Sequence, residues 1–341
     1  MAKVRWTARM LALGAVVFGF ATAAAAQEDW ATIEAAAKEE GTVVFYNAQA
    51  GWPQPIAASE AFEEKYGIRV DMLQGLRGAE IIERVRVEVT NNQNTGDVVM
   101  MGVTGLVPMA GFDVLVDAGA LPNKANLAQE PWIPEEVPVF NVTYGIALNT
   151  NMVPEADEPT SWKGLTDPKW KGKILSDEMT VPSGGQSWFA VMLDAFGEEF
   201  HQAMALNELQ YDRSIRDKAK RVARGEFAFS IPFNLAELSE LEGLPVKGVI
   251  PEEGAPYTPI SVAMIKGGSN PNAAKLFINY LLSPEGQLHF AKDGLSIATG
   301  GMEEMVPEEL HWRVFGKLLG HANIEKQPER LELAGEIYGR R

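Results

Sequence analysis

From residue 42 onward, short runs of β-branched and aromatic residues alternate with stretches whose apolar positions recur every three to four residues. Thr42 to Tyr46 (TVVFY) reads as a buried strand, and a helix opens near Pro55 and ends at Gly67. Arg69 to Leu73 reads as a second strand, Ala79 to Val89 as a helix, and Asp97 to Met101 as a third strand. Strand and helix alternating over this length predict a parallel sheet with right-handed crossovers. A second series follows Phe140. It has strands at Tyr144 to Leu148, Lys173 to Ser176 and Phe227 to Ile231, and helices at Gln186 to Phe196 and Arg216 to Ala223. Ile260 to Ile265 is again strand-like, and in Ala273 to Leu282 the residues Ala274, Phe277, Ile278, Leu281 and Leu282 follow the helical rule of one buried face.

Two passages interrupt the pattern, Phe140 to Thr143 and Pro251 to Tyr257, the second crowded with Pro251, Gly254, Pro256 and Pro259. They predict a chain that crosses twice between two α/β lobes. The first lobe takes residues 27–141 with 258–300, the second is the inserted stretch 142–257, and helices over 301–341 pack on the outside.

The first 26 residues have a different character. Lys3, Arg5 and Arg9 precede an apolar stretch from Met10 to Phe20, and Ala24, Ala25 and Ala26 form a small-residue cleavage site before Gln27. The apolar stretch falls short of the ~20 residues that span a bilayer, so an exported protein with a cleaved signal peptide is expected. The chain has no cysteine, which excludes a lipidated N-terminal cysteine and a disulfide framework and points to the periplasm. The signal carries three basic and no acidic residues, so the other 315 carry a formal charge of −19 against −16 for the whole chain. Nucleic acid and anionic membrane surfaces are poor partners for such a chain.

Catalytic patterns are missing. His201, His289, His311 and His321 all fall in predicted helices, and there is no His-x-x-x-His pair, nucleophile elbow or phosphate-gripping lysine motif. No enzyme, cofactor or resident metal is expected.

The segment Pro159 to Ile174 (PTSWKGLTDPKWKGKI) resembles the signature of extracellular solute-binding proteins of ABC importers, of the ferric-iron-binding-like group. Asn270 to Phe277, continuing through Leu282-Ser283-Pro284-Glu285-Gly286-Gln287, resembles the helix pair near that group's C-terminal end, and Gly225-Glu226-Phe227 its entry to a late strand. The resemblance implies a two-lobed α/β fold of the type II periplasmic-binding-protein class, a ligand enclosed between the lobes, and delivery to a membrane permease by a monomer. It also sets a contrast. Ferric members of the group hold metal with a histidine after the first strand, a glutamate after the third and a tyrosine pair after the late strand. Here those stretches read Tyr46-Asn47-Ala48-Gln49-Ala50, Met101-Gly102-Val103-Thr104 and Ser230-Ile231-Pro232-Phe233-Asn234-Leu235. Ferric iron prefers anionic oxygen donors, so a small anionic or polar organic solute is the expected cargo. Ferric iron with an exogenous anion and a periplasmic hydrolase are the rival readings.

Ligands of open α/β sheets bind beyond the carboxyl ends of strands, which selects four groups of candidates. After the first strand, Asn47 and Gln49 offer neutral hydrogen bonds, with Tyr46 or Trp52 to stack on a guest; Asn47 as a turn cap and Trp52 as lobe packing are the structural alternatives. Arg77 before Gly78 could grip a carboxylate or phosphonate, or simply pair with Glu80. Thr104 follows the third strand. Ser183-Gly184-Gly185-Gln186-Ser187 opens a helix and could seat an anion, although Ser183 and Gln186 also have capping-box spacing. Asn234 and Tyr257 complete the set. Micromolar capture takes about −8 kcal/mol and a charge-assisted hydrogen bond gives about 1.5 to 3, so several loops must converge on the guest.

Overall fold

The computed structural model describes residues 30–49, 51–181, 183–212 and 215–339, with backbone only at 215–217. The export signal expected over residues 1–26 lies outside the described residues. Among them, no helix is long and apolar enough to cross a membrane.

The first lobe begins with helix α1 over 30–40 and strand β1 (Thr42–Asn47). Helix α2 (Pro53–Tyr66) follows, closed by Gly67 in the left-handed conformation at φ 69°, where its N–H bonds the Glu63 carbonyl. Then come β2 (Arg69–Leu73), α3 (Gly78–Thr90), β3 (Val98–Gly102), α4 (Val103–Gly111) and the short β4 (Leu115–Val116). β1 pairs in parallel with both β2 and β3, as the strand-helix alternation predicts. Thr104, read from sequence as a loop residue, stands in the first turn of α4.

β5 (Val137–Asn149) is much longer than the strand expected at Tyr144 to Leu148, because almost every residue along it is buried and no polar alternation marks its start. The second lobe adds β6 (Ile174–Ser176), α5 (Gly184–Leu206, broken at Gly197), β7 (Gln210–Tyr211), α6 (Ile215–Ala223), β8 (Phe229–Asn234) and β9 (Val246–Val249). The chain returns along β10 (Ala255–Ile265), then builds α7 (Pro271–Leu281), α8 (Pro284–Ala291) and β11 (Ser296–Ile297). It ends with α9 (His311–Val314), β12 (Leu318–Gly320) and α10 (Gln327–Tyr338).

The strand order is β2-β1-β3-β10-β5-β8-β6-β7. β5 and β10 lie antiparallel at its centre, Tyr257 opposite Thr143 and Val262 opposite Val137, and each serves both lobes. The later half of β10 pairs with β3, while its first residues pair with β12. The later half of β5 pairs with β8 and β9.

Separate cores sit on either side of this ribbon. Phe45, Phe62 and Phe277 meet edge-on in the first, with centroids 5.1 Å apart, and Phe140 stacks on Phe290 at 4.8 Å. In the second, Trp162 packs on Trp188 at 5.7 Å and Trp170 on Phe229 at 4.7 Å. Each such pair adds ~0.5 to 1.5 kcal/mol beyond its buried area.

Carboxylates tie these layers together. Asp97 accepts the Val44 N–H and both the backbone N–H and side-chain amide of Asn270, joining β1 to the entry of α7. Glu40 accepts the Asn272 and Ala273 N–H groups at the start of α7, where the helix dipole favours negative charge. The C-terminal segment contacts both lobes. Met302, Val306 and Val314 belong to the first core, while α10 packs on α5 through Ala334, Tyr338 and the Arg330–Asp194 ion pair.

His201 lies fully buried under α10. Its Nε2 faces the Phe189 carbonyl at 3.0 Å and must donate to it, so Nδ1 accepts the Tyr338 hydroxyl at 2.9 Å. Burial pushes its pKa down to about 4, from an ordinary value of 6.5. Between those values the unfolded chain binds a proton that the folded chain refuses. Stability should be full above pH 6.5 and fall as pH drops towards 4, by up to about 3 kcal/mol from this residue. Urea midpoints for wild type and His201→Gln across pH 4 to 7 check this, the variant giving the flatter curve.

Candidate functional site

In the first lobe the carboxyl ends of β1 and β3 lie at the crossing ribbon, since Gly102 stands opposite Ile260 of β10 and beside Thr258. In the second, the end of β8 reaches the same place, Asn234 lying opposite Tyr144 of β5. Strand ends from both lobes therefore border one cleft.

A cavity of about 320 Å³ occupies this cleft. Trp52, Gln54 and Asp293 wall it on the first-lobe side, and Asn234, Glu237 and Glu240 on the other. Trp52 stands at the start of α2, its ring tilted on Phe140 at 5.9 Å, and is half-buried. It therefore packs on the lobe and lines the cavity as well. Gln54 donates to Asp293 at 2.7 Å, leaving its buried Oε1 without a protein donor.

Asn234 and Asn47 shape their own loops. Asn234 Oδ1 accepts the Ala236 N–H at 3.2 Å, and Asn47, fully buried, accepts the Gln49 N–H at 2.9 Å. Both are Asx turns. Gln49 is partly exposed beyond the second. Tyr46 is also buried, its hydroxyl shared among Glu88, Thr95 and Arg84 on the α3 side of the sheet. Its ring is committed to the core and leaves no face for a guest.

Arg77 is exposed at the N-terminus of α3. Glu80 accepts its backbone N–H at 2.7 Å, so that carboxylate caps the helix, and Gly78 beside it opens onto free space. Both stand at the carboxyl end of the edge strand β2, apart from the residues that wall the cavity.

The opening of α5 differs from the expected anion seat. Ser183 Oγ accepts the Gln186 N–H and donates to the Glu178 carbonyl, so the hydroxyl serves as a cap. Gly185 N–H donates to Asp177 Oδ2 at 3.1 Å, so a carboxylate of the protein itself holds the position predicted for an external anion. Gly185 is required by packing, because a Cβ there would lie 2.6 Å from the Glu178 carbonyl oxygen. Gly184 is less confined: the nearest atoms to a Cβ there would be Tyr144 Oη at 3.5 Å and Asp177 Oδ2 and Tyr144 Cε1 at 3.6 Å, ordinary contact distances. Gln186 is buried with Oε1 turned to Gln327 of α10, and Ser187 is partly exposed one residue on.

Tyr144 and Thr258 were not anticipated from the sequence. Their hydroxyls meet at 3.3 Å across the ribbon, and Thr258 also faces Gly102 of the first lobe, near Thr104. Strand alternation sends the neighbouring Tyr257 to the opposite face, where it packs on His321 at 5.2 Å behind the cleft. The parity of β10 would have distinguished the two, had its start been legible. Burial, reinforced by the carboxylates of Asp177 and Glu237, raises the pKa of Tyr144 and keeps it a neutral phenol. Asp177 directly follows β6, so the strand-end rule itself could have found it.

Behind Asp177 lies Lys218, 1% exposed, its Nζ 3.7 Å from Asp177 Oδ1 and beyond hydrogen-bond reach of any acceptor among the described residues. Burial lowers its pKa, and Asp177, Glu237 and Asp212 oppose that shift.

Comparison with known proteins agrees with this geometry. The sequence profile of bacterial extracellular solute-binding proteins matches residues 57–309. The chain belongs to that family. A Salmonella typhimurium protein provisionally named as a 2-aminoethylphosphonate-binding periplasmic protein is 24% identical over 276 residues, 74% of this chain and 76% of that one. Two solved structures share the fold. Iron-bound HitA from Pseudomonas aeruginosa matches with TM-score 0.68 and 21% identity, covering 87% of this chain and 99% of HitA. The spermidine/putrescine transporter substrate-binding protein PotD from Streptococcus pneumoniae matches with TM-score 0.69 and 20% identity, covering 88% and 99%. The solute-binding family member described here thus has the type II two-lobed fold, which it shares with PotD, the substrate-binding protein of an ABC transporter.

The two glycines of α5 give a test of this geometry. Gly185→Ala should lower stability by about 1 to 3 kcal/mol, because the methyl must displace backbone. Gly184→Ala should leave the unfolding midpoint of the free protein within about 0.5 kcal/mol of wild type, both read by urea denaturation.

Proposed function

We propose that this protein captures a small polar organic solute between its lobes in the periplasm, after removal of residues 1–26, and hands it as a monomer to the permease of an ABC importer. The observation that carries the reading is the cavity walled on one side by Trp52, Gln54 and Asp293 and on the other by Asn234, Glu237 and Glu240. A guest held there touches both lobes, so it binds the closed arrangement more tightly and draws the lobes together. The moving bodies are residues 27–141 with 258–300, and residues 142–257.

Carriage without turnover fits this wall. Trp52 offers an apolar face, Gln54 an open acceptor, and Tyr144 and Thr258 paired hydroxyls, which together suit recognition of a neutral or charged polar molecule. Thr104 and Gln49 extend the rim. Arg77 contributes at most from the outer end of the sheet.

Thermal-shift screening of purified protein against amines, aminophosphonates, phosphonates, carboxylates and ferric citrate should return a polar organic ligand. Trp52→Ala should then weaken its Kd roughly tenfold by calorimetry. A protein that binds only ferric citrate, or hydrolyses the ligand it binds, would contradict the proposal.

A further inference from the structure

Resting on that reading of the cleft, we infer that Gln54 and Asp293 form its specificity-determining subsite, which takes an ammonium group of the solute between the Gln54 carbonyl oxygen and the Asp293 carboxylate.

Gln54 brings an acceptor that has no donor. It stands in the first turn of α2, is 8% exposed, lines the 320 Å³ cavity, and has no donor to its Oε1 among the described residues. A buried carbonyl oxygen in that state lacks the hydrogen bond that burial demands. The neighbouring carboxylate sets the orientation of the amide. Nε2 donates to Asp293 Oδ2 at 2.7 Å, and the flipped amide would turn an oxygen onto an oxygen. The group that completes this corner of the cavity is therefore a donor.

Charge decides which donor. Asp293, in the turn after α8, is partly exposed and lines the same cavity. Gln54 supplies one hydrogen bond to it, and a carboxylate accepts up to about four. Among the described residues that wall the cavity there is no lysine or arginine, whereas Asp293 borders it from the first lobe and Glu237 and Glu240 from the second. Glu237 is engaged by Asn234 Nδ2 at 3.3 Å, and Glu240 has a partner as well, so the charge of the subsite rests on Asp293. Arg313 is buried behind the same turn and does not line the cavity. Its Cζ would lie 2.6 Å from a Cβ on Gly294, and its Nη1 donates to the Leu235 carbonyl at 3.3 Å. Trp52, two residues before Gln54, adds an aromatic wall, and a tryptophan face attracts a cation within ~6 Å. A hydroxyl could satisfy Gln54 alone. An ammonium satisfies Gln54, Asp293 and Trp52 together, and an anionic group would meet carboxylates on both walls.

The test measures melting temperature and calorimetric Kd with putrescine, 2-aminoethylphosphonate, 1,4-butanediol and ethylphosphonate. The diol is putrescine with hydroxyls in place of its amines, and ethylphosphonate is the aminophosphonate without its nitrogen. At least one amine should stabilise the wild-type protein, and its nitrogen-free counterpart should bind roughly tenfold more weakly. Asp293→Asn keeps the shape and an acceptor for Gln54 while removing the charge, and Gln54→Met removes the open acceptor at similar volume; each should weaken the amine roughly tenfold. The inference is overturned if no amine binds, if the diol or ethylphosphonate binds as tightly as its amine, or if Asp293→Asn binds the amine like wild type. Should Asp293→Asn fail to fold, wild-type binding by Gln54→Met overturns it instead. A solute without an amine whose binding is lost in Trp52→Ala would refute the ammonium subsite and leave capture in the cleft standing; failure of every class of solute would remove both.

Discussion

Both lobes are built onto one pair of strands, and this sharing constrains everything else. β5 and β10 pair with each other from Tyr257–Thr143 to Val262–Val137 beside the first core, and β5 runs on from there into the second. Breaking a buried ladder leaves unpaired N–H and C=O groups, so relative motion of the lobes has to be taken up by twisting the ribbon as a unit. The register shifts between Ile260 and Ser261 on β10 and between Gly145 and Ala147 on β5. The same arrangement turns the carboxyl ends of β1 and β3 towards those of β6 and β8. A cleft follows from the connectivity before any residue that lines it is specified.

The two lobes use the same electrostatic device for different ends. Glu40 caps α7 in the first lobe, and Asp177 caps α5 in the second. In each case a carboxylate from a preceding element takes up helix N–H groups that the helix cannot bond itself. Glu40 binds α1 to the back of its lobe, where the gain is structural. Asp177 directly follows β6, and there the same bond joins the strand end to the start of α5.

Much of the framework was legible because local sequence dictates it. Gly67 ends α2 where a left-handed residue is needed, and Arg69 to Leu73 is a strand within its predicted bounds. The site was less legible, for reasons that differ by residue. Ser183 and Gln186 have the spacing of a cap, and a cap they form, but only the folded lobe brings Asp177 across to Gly185. The double glycine suggested backbone left open for a ligand, whereas Gly185 answers to the Glu178 carbonyl and only at Gly184 would a Cβ find ordinary contact distances. Tyr257 and Thr258 differ by one position, and in a strand one position is the difference between two faces. Because β10 begins earlier than its apolar run, its parity could not be read from the sequence.

Relatives with about a fifth of their residues in common keep this fold, as the match to HitA at TM-score 0.68 illustrates, and the strand ends can change without disturbing the ribbon. At three of those ends this chain has side chains that serve the loop first. Asn47 and Asn234 spend their carbonyl oxygens on Asx turns, and Thr104 opens α4. An amide held in its own turn has little left to coordinate a cation, and its neutral oxygen is a weak donor for a hard trivalent ion. Other side chains near the strand ends are held by more than one element. Tyr144 and Thr258 are strand residues fixed by the ladder, and Asp177 is fixed by a helix start and a buried lysine.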